Sequence, residues 1–245
     1  MPDKTLCEEI RRTTIAATAD QPESQFHIMS NLNWLRYERQ LDLVLRMLPD
    51  EGRLLDAGCG WGLTTAIIAA SRPGVAVTGL DIAEMKSWGP LNEYGAIYRS
   101  YDSQTFPFED ITFDYCVAFG VIEHTENDVK FLREIHRVLK AGGSLFVFNL
   151  PNKYALFERM ANLIGIKSHD RTYVASKIRA LMKVTGFDIE FIKREIFLPA
   201  QVARVNRALA RVYDRYYLQV DKMDLWLTEP LNYFAQSYAF VAKKS

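Results

Sequence analysis

The stretch LLDAGCGWGL, residues 54–63, ends an apolar run in Asp56 and follows it with Gly58, Gly60 and Gly62. Glycine lacks a Cβ, so a chain with glycine at alternate positions can turn sharply and bring its peptide N–H groups close to a ligand. A carboxylate heading such a turn repels a pyrophosphate and attracts a cation. The dinucleotide fingerprint G-x-G-x-x-G would place its third glycine at position 63, where the chain has Leu63. A ligand bearing an ammonium or sulfonium group therefore suits this turn better than NAD. A second carboxylate, Asp81 in VTGLDI, closes the next apolar run with Ile82 behind it. At a strand end, that carboxylate can accept hydrogen bonds from both hydroxyls of a ribose. The third constellation is Glu123-His124. An imidazole titrating at about pH 6.5 suits removal of a proton from an acceptor, and a well-placed base contributes roughly 10²–10⁴ in rate. Glu123 could orient that imidazole or help hold the acceptor. The plain alternative is that both residues simply begin the next helix, with HTEND as its cap.

These residues need strand ends to hold them, and the flanking pattern supplies strands. Short apolar runs at Arg53–Asp56, Val75–Leu80, Ala96–Tyr101, Tyr115–Phe119 and Ser144–Asn149 read as strands buried on both faces. Helical spacing fills the gaps at Trp61–Ala70 and Asp128–Lys140, where Val129, Leu132, Ile135 and Leu139 share a face. Such alternation implies a parallel sheet with right-handed crossovers. A leader helix is expected from Phe26 to Leu48 and ends at Pro49 and Gly52; residues 1–24 are polar and expected to be loosely ordered. Beyond residue 150 come helical patterns at Tyr154–Ile164 and Val174–Val184, an extended run Phe187–Phe197, and a last strand Tyr238–Ala242. The expected organisation is a single domain over 1–245, with a leader (1–50), a ligand-binding core (51–150) and an acceptor-side half (151–245). A helical insertion at about 199–232 precedes the last strand.

The whole chain narrows the class. Its 245 residues are 49% hydrophobic, enough for a sizeable core, and its 30 basic and 30 acidic side chains cancel. A dedicated nucleic-acid binder carries a basic excess, so no nucleic-acid partner is expected. Cys7, Cys59 and Cys116 are odd in number, far apart and form no C-x-x-C pair. That pattern argues against a disulfide framework or zinc site and fits a reducing compartment. The first residues lack the apolar centre of a secretory signal, and no apolar run reaches the roughly 18–20 residues of a spanning helix. A soluble, cytoplasmic protein is expected.

Taken in order, LLDAGCGWG, VTGLDI, FPFEDITFDYCVAFGVIEHTEND and REIHRVLKAGGSLFVFNLPN resemble the class I S-adenosylmethionine-dependent methyltransferases over about 26–198. The resemblance implies a Rossmann-like α/β fold: a seven-stranded, mostly parallel sheet with helices on both faces and its last strand antiparallel. It implies S-adenosyl-L-methionine as cofactor. The backbone from Ala57 through Gly58 and Cys59 to Gly60 would cradle the methionine part, and Asp81 would hold the ribose. Asp102, with Ser103 beside it, would face the adenine amino group, and Phe119 would contact the cofactor through its backbone.

A narrower similarity is to the ubiquinone-biosynthesis O-methyltransferase group and its small-molecule relatives. LNWLRYERQL is similar to that group's leader helix, whose arginine meets the cofactor carboxylate; here that is Arg36. NLPNKYALF and SHDRTYV are similar to its acceptor-side stretches and contribute Asn152 and His169 as substrate-binding candidates. Members of the group can carry Glu-x-x-Glu-His for a divalent cation. This chain has Gly120 in the first position, so no metal is expected. His136 reads as a surface residue, and His27 carries little information. The function implied is methyl transfer to a small-molecule acceptor, with a hydroxyl oxygen favoured and His124 as base. Nitrogen or carbon methylation of a sugar, lipid or secondary metabolite, an NAD-dependent oxidoreductase and a non-catalytic partner subunit are the alternatives.

The insertion has no counterpart in that group. Arg204, Arg207, Arg211 and Arg215 form a basic stripe, and Val202, Val205, Leu209, Val212 and Tyr216 an apolar one. It reads either as a cap burying its apolar face on the domain or as a lid over an apolar acceptor. Contact with a membrane surface through 199–220 is compatible with both, and an anionic acceptor such as a sugar phosphate would also suit the arginines.

Overall fold

The computed structural model describes residues 3–20, 29–163, 165, 169, 171–199 and 206–245. Seven strands form one sheet: β1 (Gly52–Ala57), β2 (Val75–Asp81), β3 (Ile97–Ser100), β4 (Phe113–Phe119), β5 (Leu139–Pro151), β6 (Phe187–Glu195) and β7 (Ser237–Lys244). Their order is β3-β2-β1-β4-β5-β7-β6. β1 to β5 pair in parallel, and β7 runs antiparallel to both neighbours. The implied sheet, including its reversed last strand, is therefore present. Chain order reverses between β1 and β4, so a crevice opens at their carboxyl ends.

Alternation along the strands builds a core on each face. Leu55, Cys116 and Val147 point into one, with Leu132, Ile135 and Phe240. Leu54, Val117 and Phe146 point into the other, with Ile67, Val77 and Val241. Helices cover both: α1 (Lys4–Ala17), α2 (Asn31–Met47), α3 (Leu63–Ser71), the single turn α4 (Trp88–Leu91), α5 (Asp128–Val138), α6 (Leu156–Leu163), α7 (Ala175–Val184), α8 (Arg207–Arg215) and α9 (Tyr217–Thr228).

Three expectations change. Residues 4–17 are helical, not loose: Asp3 caps the helix by accepting from the Thr5 and Leu6 N–H groups, and Cys7, Ile10, Arg11 and Thr14 form its buried face. The expectation for 1–2 and 21–24 lies outside the described residues, as does that for His27. The strand expected to open at Ser144 begins at Leu139, which pairs with Phe113 across a register shift, so α5 stops two residues early. In the insertion, Leu209 (45% exposed), Val212 and Tyr216 face outward, so the apolar stripe is not the packing face. Tyr213 and Tyr217 pack instead, against Leu32, Phe197, Leu198 and Val220. Val202, Arg204 and Val205 lie outside the described residues.

The insertion is strapped to the leader helix by charge. The Asn31 N–H donates to Asp214 Oδ1 at 2.9 Å, Arg36 pairs with Asp224 at 2.8 Å, and Arg39 pairs with Asp221.

Candidate functional site

A cleft of about 600 Å³ opens where β1 and β4 diverge. The glycine turn forms its floor. Gly58 has φ +79, and a Cβ there would lie 2.2 Å from Val121 Cγ2, so the close approach of the loop after β4 requires glycine. Gly60 has φ +50 and nothing within 4 Å of where a Cβ would stand: the turn is open on the cleft side.

The turn does not present its N–H groups as expected. Those of Gly58 and Cys59 donate to Leu80 O at 2.8 and 3.0 Å, and that of Gly60 donates to Asp81 Oδ2 at 2.7 Å. The turn thus offers room and acceptors, which suits a cation better than a phosphate. Asp81 Oδ1 accepts the Ile82 N–H at 2.7 Å. Each carboxylate oxygen keeps a second lone-pair direction, and both Asp81 and Ile82 line the cleft.

Asp56 also borders the cleft but is only 1% exposed and accepts from Thr65 Oγ at 2.8 Å. Burial pushes its carboxyl up to about 7, and the nearby Asp81 adds to the shift. A cation bound above the turn would oppose that cost and favour the charged form. Ala57 is fully buried at the end of β1, and Cys59 is a buried thiol whose pKa burial raises. Phe119 borders the cleft with its ring stacked on Phe148 at 4.6 Å.

Several expected residues are placed elsewhere. Arg36 does not reach the cleft. It is 3% exposed and faces Asp224, and its Nε and Nη1 have no hydrogen-bond partner. Burial lowers its pKa, against the opposing pull of Asp224. The neighbouring Tyr37 borders the cleft instead and bonds to Thr64. Asp102 is exposed, and its carboxylate caps a local turn by accepting the Gln104 N–H at 2.9 Å, whereas Ser103, at φ +64, borders the cleft. Asn152 is 1% exposed and used structurally: its amide donates to the Tyr233 and Ala235 carbonyls and accepts the Tyr154 N–H. It therefore offers an acceptor nothing. His136 is half-buried, edge-on to Phe187 at 5.3 Å, not a surface residue.

His124 is where the pattern suggests. A short 3-10 turn, Ile122–His124, carries it to the cleft wall with its side chain 62% exposed. HTEND does supply the cap of α5, through Asn127, which accepts the Lys130 N–H at 3.0 Å, whereas Glu123 and His124 lie in the turn before that helix. Glu123 lies behind the wall, its side chain 3% exposed and its Oε1 3.9 Å from His124 Nε2. Its Oε2 is buried without a partner, and burial pushes its carboxyl up to about 7. His169 stands next to His124, ring centroids 6.1 Å apart, and its Nδ1 lies 2.9 Å from Glu158 Oε1. Among the described residues no group of three or more His, Cys, Asp or Glu is arranged to hold a metal ion.

Sequence reasoning missed Tyr37, Asn149 and Glu158. Asn149, at φ +60, lies in β5 where its pairing with β7 shifts register, borders the cleft and accepts from Gln40 Nε2 at 2.9 Å. A non-glycine residue in that region is worth reading as functional, but φ is invisible in sequence.

Residues 55–147 match a family model described as a methyltransferase domain. Rat mitochondrial ubiquinone biosynthesis O-methyltransferase is 29% identical over 165 residues, covering 60% of this chain and 47% of that protein. The ubiquinone biosynthesis O-methyltransferase of Xanthomonas axonopodis is 28% identical over 196 residues, covering 74% and 79%. The chain spans about half the length of several curated relatives it matches. In fold it is similar to an S-adenosylmethionine-dependent methyltransferase from Methanosarcina mazei, with a TM-score of 0.59, 16% identity, and coverage of 82% of this chain and 96% of that one.

Proposed function

Because this chain belongs to the class I S-adenosylmethionine-dependent methyltransferases, whose shared methyl donor is S-adenosylmethionine, we propose that it methylates a small-molecule acceptor at a hydroxyl oxygen. The observation that carries the reading is the combination of an acceptor-rich glycine turn, open at Gly60, with the Asp81 carboxylate and the His124 imidazole on the walls of one cleft. Gly58 to Gly60, Asp81 and Ser103 are the residues that would hold the donor. When bound, it supplies an electrophilic methyl carbon on a sulfonium, open to in-line attack.

The protein's own part is position and charge. Holding the acceptor in near-attack geometry can contribute roughly 7–11 kcal/mol. His124 takes the proton of the attacking hydroxyl, and Glu123, buried with its Oε1 3.9 Å from His124 Nε2, would orient that imidazole. The acceptor is the principal partner. The outward apolar and basic faces of α8 and α9 suit contact with an anionic membrane surface, whereas the balanced charge of the chain gives no reason to invoke nucleic acid.

The test has two arms. Calorimetry with S-adenosylmethionine and, separately, NAD should show binding of the first only. Label from [methyl-³H]S-adenosylmethionine should pass to a small molecule in cell extract, identified by mass spectrometry, and His124→Ala should slow that transfer while leaving donor affinity nearly intact. Binding of NAD alone, or full transfer by the His124 variant across pH 6 to 9, contradicts the reading.

A further inference from the structure

Behind the acceptor side of the cleft, titratable groups from separate segments converge. Glu123 and His124 come from the turn after β4, Glu158 from α6, and His169 from the chain that follows α6. Arg171 holds these parts together: it donates to the Ile122 carbonyl at 3.5 Å and the Glu126 carbonyl at 3.1 Å, and approaches Asp128 at 3.9 Å. Tyr173 adds a hydrogen bond to Asp128 at 3.0 Å. Arg171, two residues after His169 in sequence, is therefore tied to the turn bearing His124.

Within this cluster, Glu158 and His169 have the geometry of an orienting carboxylate and an imidazole. Glu158 is 8% exposed, although it lies on a short helix whose other described side chains are more open. Its Oε1 stands 2.9 Å from His169 Nδ1. A neutral histidine that donates Nδ1–H to a carboxylate carries its lone pair on Nε2. The His169 ring lies 6.1 Å from that of His124, centroid to centroid, tilted by 37°.

We propose that His124, His169 and Glu158 form a proton relay, with His124 taking the acceptor's proton and His169, backed by Glu158, taking it onward. This deepens the methyl-transfer reading and rests on it. As the acceptor's O–H bond breaks, its electron pair stays on oxygen and forms the new bond to carbon, while the pair of the breaking C–S bond returns to sulfur. The proton goes to a ring nitrogen of His124. With the rings too far apart for a direct hydrogen bond, His124 regains its neutral form by passing a proton through a bridging water molecule to His169, whose positive charge then stands against the Glu158 carboxylate, and solvent removes it. Among the described residues, the charged groups near His169 include Glu158, Glu123, Arg171 and His124, with Asp128 beyond Arg171. Glu123, held up to about 7 by burial, carries only part of a negative charge at neutral pH, and Glu158 is the carboxylate within hydrogen-bond distance of His169. Glu158 is thus a positioning residue acting through His169.

The first test needs no acceptor. Long-range ¹H–¹⁵N spectra of the full chain labelled at histidine should show neutral His169 protonated at Nδ1, and Glu158→Gln should lower its titration midpoint by at least one pH unit. The second uses label transfer from [methyl-³H]S-adenosylmethionine to cell extract. Glu158→Gln should slow transfer at least tenfold, with donor affinity within twofold of the parent. His169 must be neutral to accept a proton, so activity rises with pH through its titration, and losing Glu158 should move this acidic limb to lower pH. Glu158→Asp should restore part of the rate, and adding Glu158→Gln to His169→Ala should cost nothing more. A structural role alone would lower the rate with the limb unmoved; that result, or an unchanged His169 midpoint, overturns the relay. If the parent chain transfers no label, the methyl-transfer reading fails and the relay with it, while the spectra still decide whether Glu158 orients His169.

Discussion

The two oxygens of Asp81 hold the Gly60 and Ile82 N–H groups on one side and face the cleft on the other. Asp81→Ala should therefore weaken S-adenosylmethionine binding by roughly tenfold or more, since it removes two charge-assisted acceptors and loosens the turn. Asp81→Asn, which keeps one acceptor oxygen, should fall between; calorimetry checks both. Glu123 supports a different prediction. It ionises at about 4.5 when unfolded and at about 7 in the folded chain, so the folded state holds its proton longer. The stability this gives is fully present below about pH 4.5 and is lost as pH rises to about 7, a change of up to about 3 kcal/mol. Glu123→Gln should remove that loss, so its melting temperature should exceed the parent's by several degrees at pH 8 and by little at pH 5. Equal differences at the two pH values would contradict the assignment. The places of Asp81 and His124 on the cleft were legible because each follows an apolar run, and a strand's end fixes where the next side chain goes. Asp102 and Asn152 were not: each has short-range partners, a turn N–H or loop carbonyls, that only coordinates reveal.

The leader helix α2 was read from the spacing of its leucines over Phe26–Leu48 and runs from Asn31 to Met47, with 26–28 outside the described residues, but the role of its arginine was not read. Arg36 pairs with Asp224, 188 residues away on α9, and no local periodicity reports such a partner. Asp224 also accepts the Phe197 and Leu198 N–H groups at 2.9 and 2.6 Å, so it fixes the chain leaving β6 as well as the helix that carries it. Removing one member of a buried pair strands the other, at roughly 3–5 kcal/mol, whereas replacing both with apolar groups of similar volume is often close to neutral. Asp224→Ala should thus lower stability by about that amount in urea denaturation. Arg36→Met combined with Asp224→Leu should recover much of the loss, less the contribution of the two backbone hydrogen bonds. Arg36→Met alone should destabilise the chain before it affects donor affinity. If it weakened S-adenosylmethionine binding with stability unchanged, the arginine would belong to the cleft after all. The α1 helix was missed for a related reason. Its apolar positions are few, yet Asp3 capping Thr5 and Leu6, with Cys7, Ile10 and Thr14 at helical spacing, was a signal in plain view.

Across the whole molecule, the sheet was legible because its strands are buried on both faces and carry unbroken apolar runs, while the insertion was not, because its amphipathic pattern has two solutions. An apolar stripe facing the domain and one facing outward have the same sequence; tertiary contacts chose Tyr213 and Tyr217 for the inside. What remains outside is Leu209 and Val212 on α8 and Tyr216 at its end, with Arg211 and Arg215 exposed on the same helix, and Leu218, Leu225 and Trp226 on α9, the last 72% exposed. The formal net charge is zero, so attraction to an anionic surface must come from this local arrangement. Basic amphipathic helices lie at such surfaces with the apolar face in the headgroup boundary, and their electrostatic share is screened by salt. The chain should sediment with phosphatidylglycerol-containing vesicles and not with phosphatidylcholine alone. Trp226, absent in a Trp226→Phe control, should account for the accompanying blue shift in emission. Arg211→Glu with Arg215→Glu should abolish sedimentation, as should salt at roughly 0.5 M, where the Debye length falls to a few ångströms. Binding that ignores both salt and the charge reversal would mean the apolar face acts without the arginines, and no binding at all would leave α8 and α9 as packing for the leader helix alone.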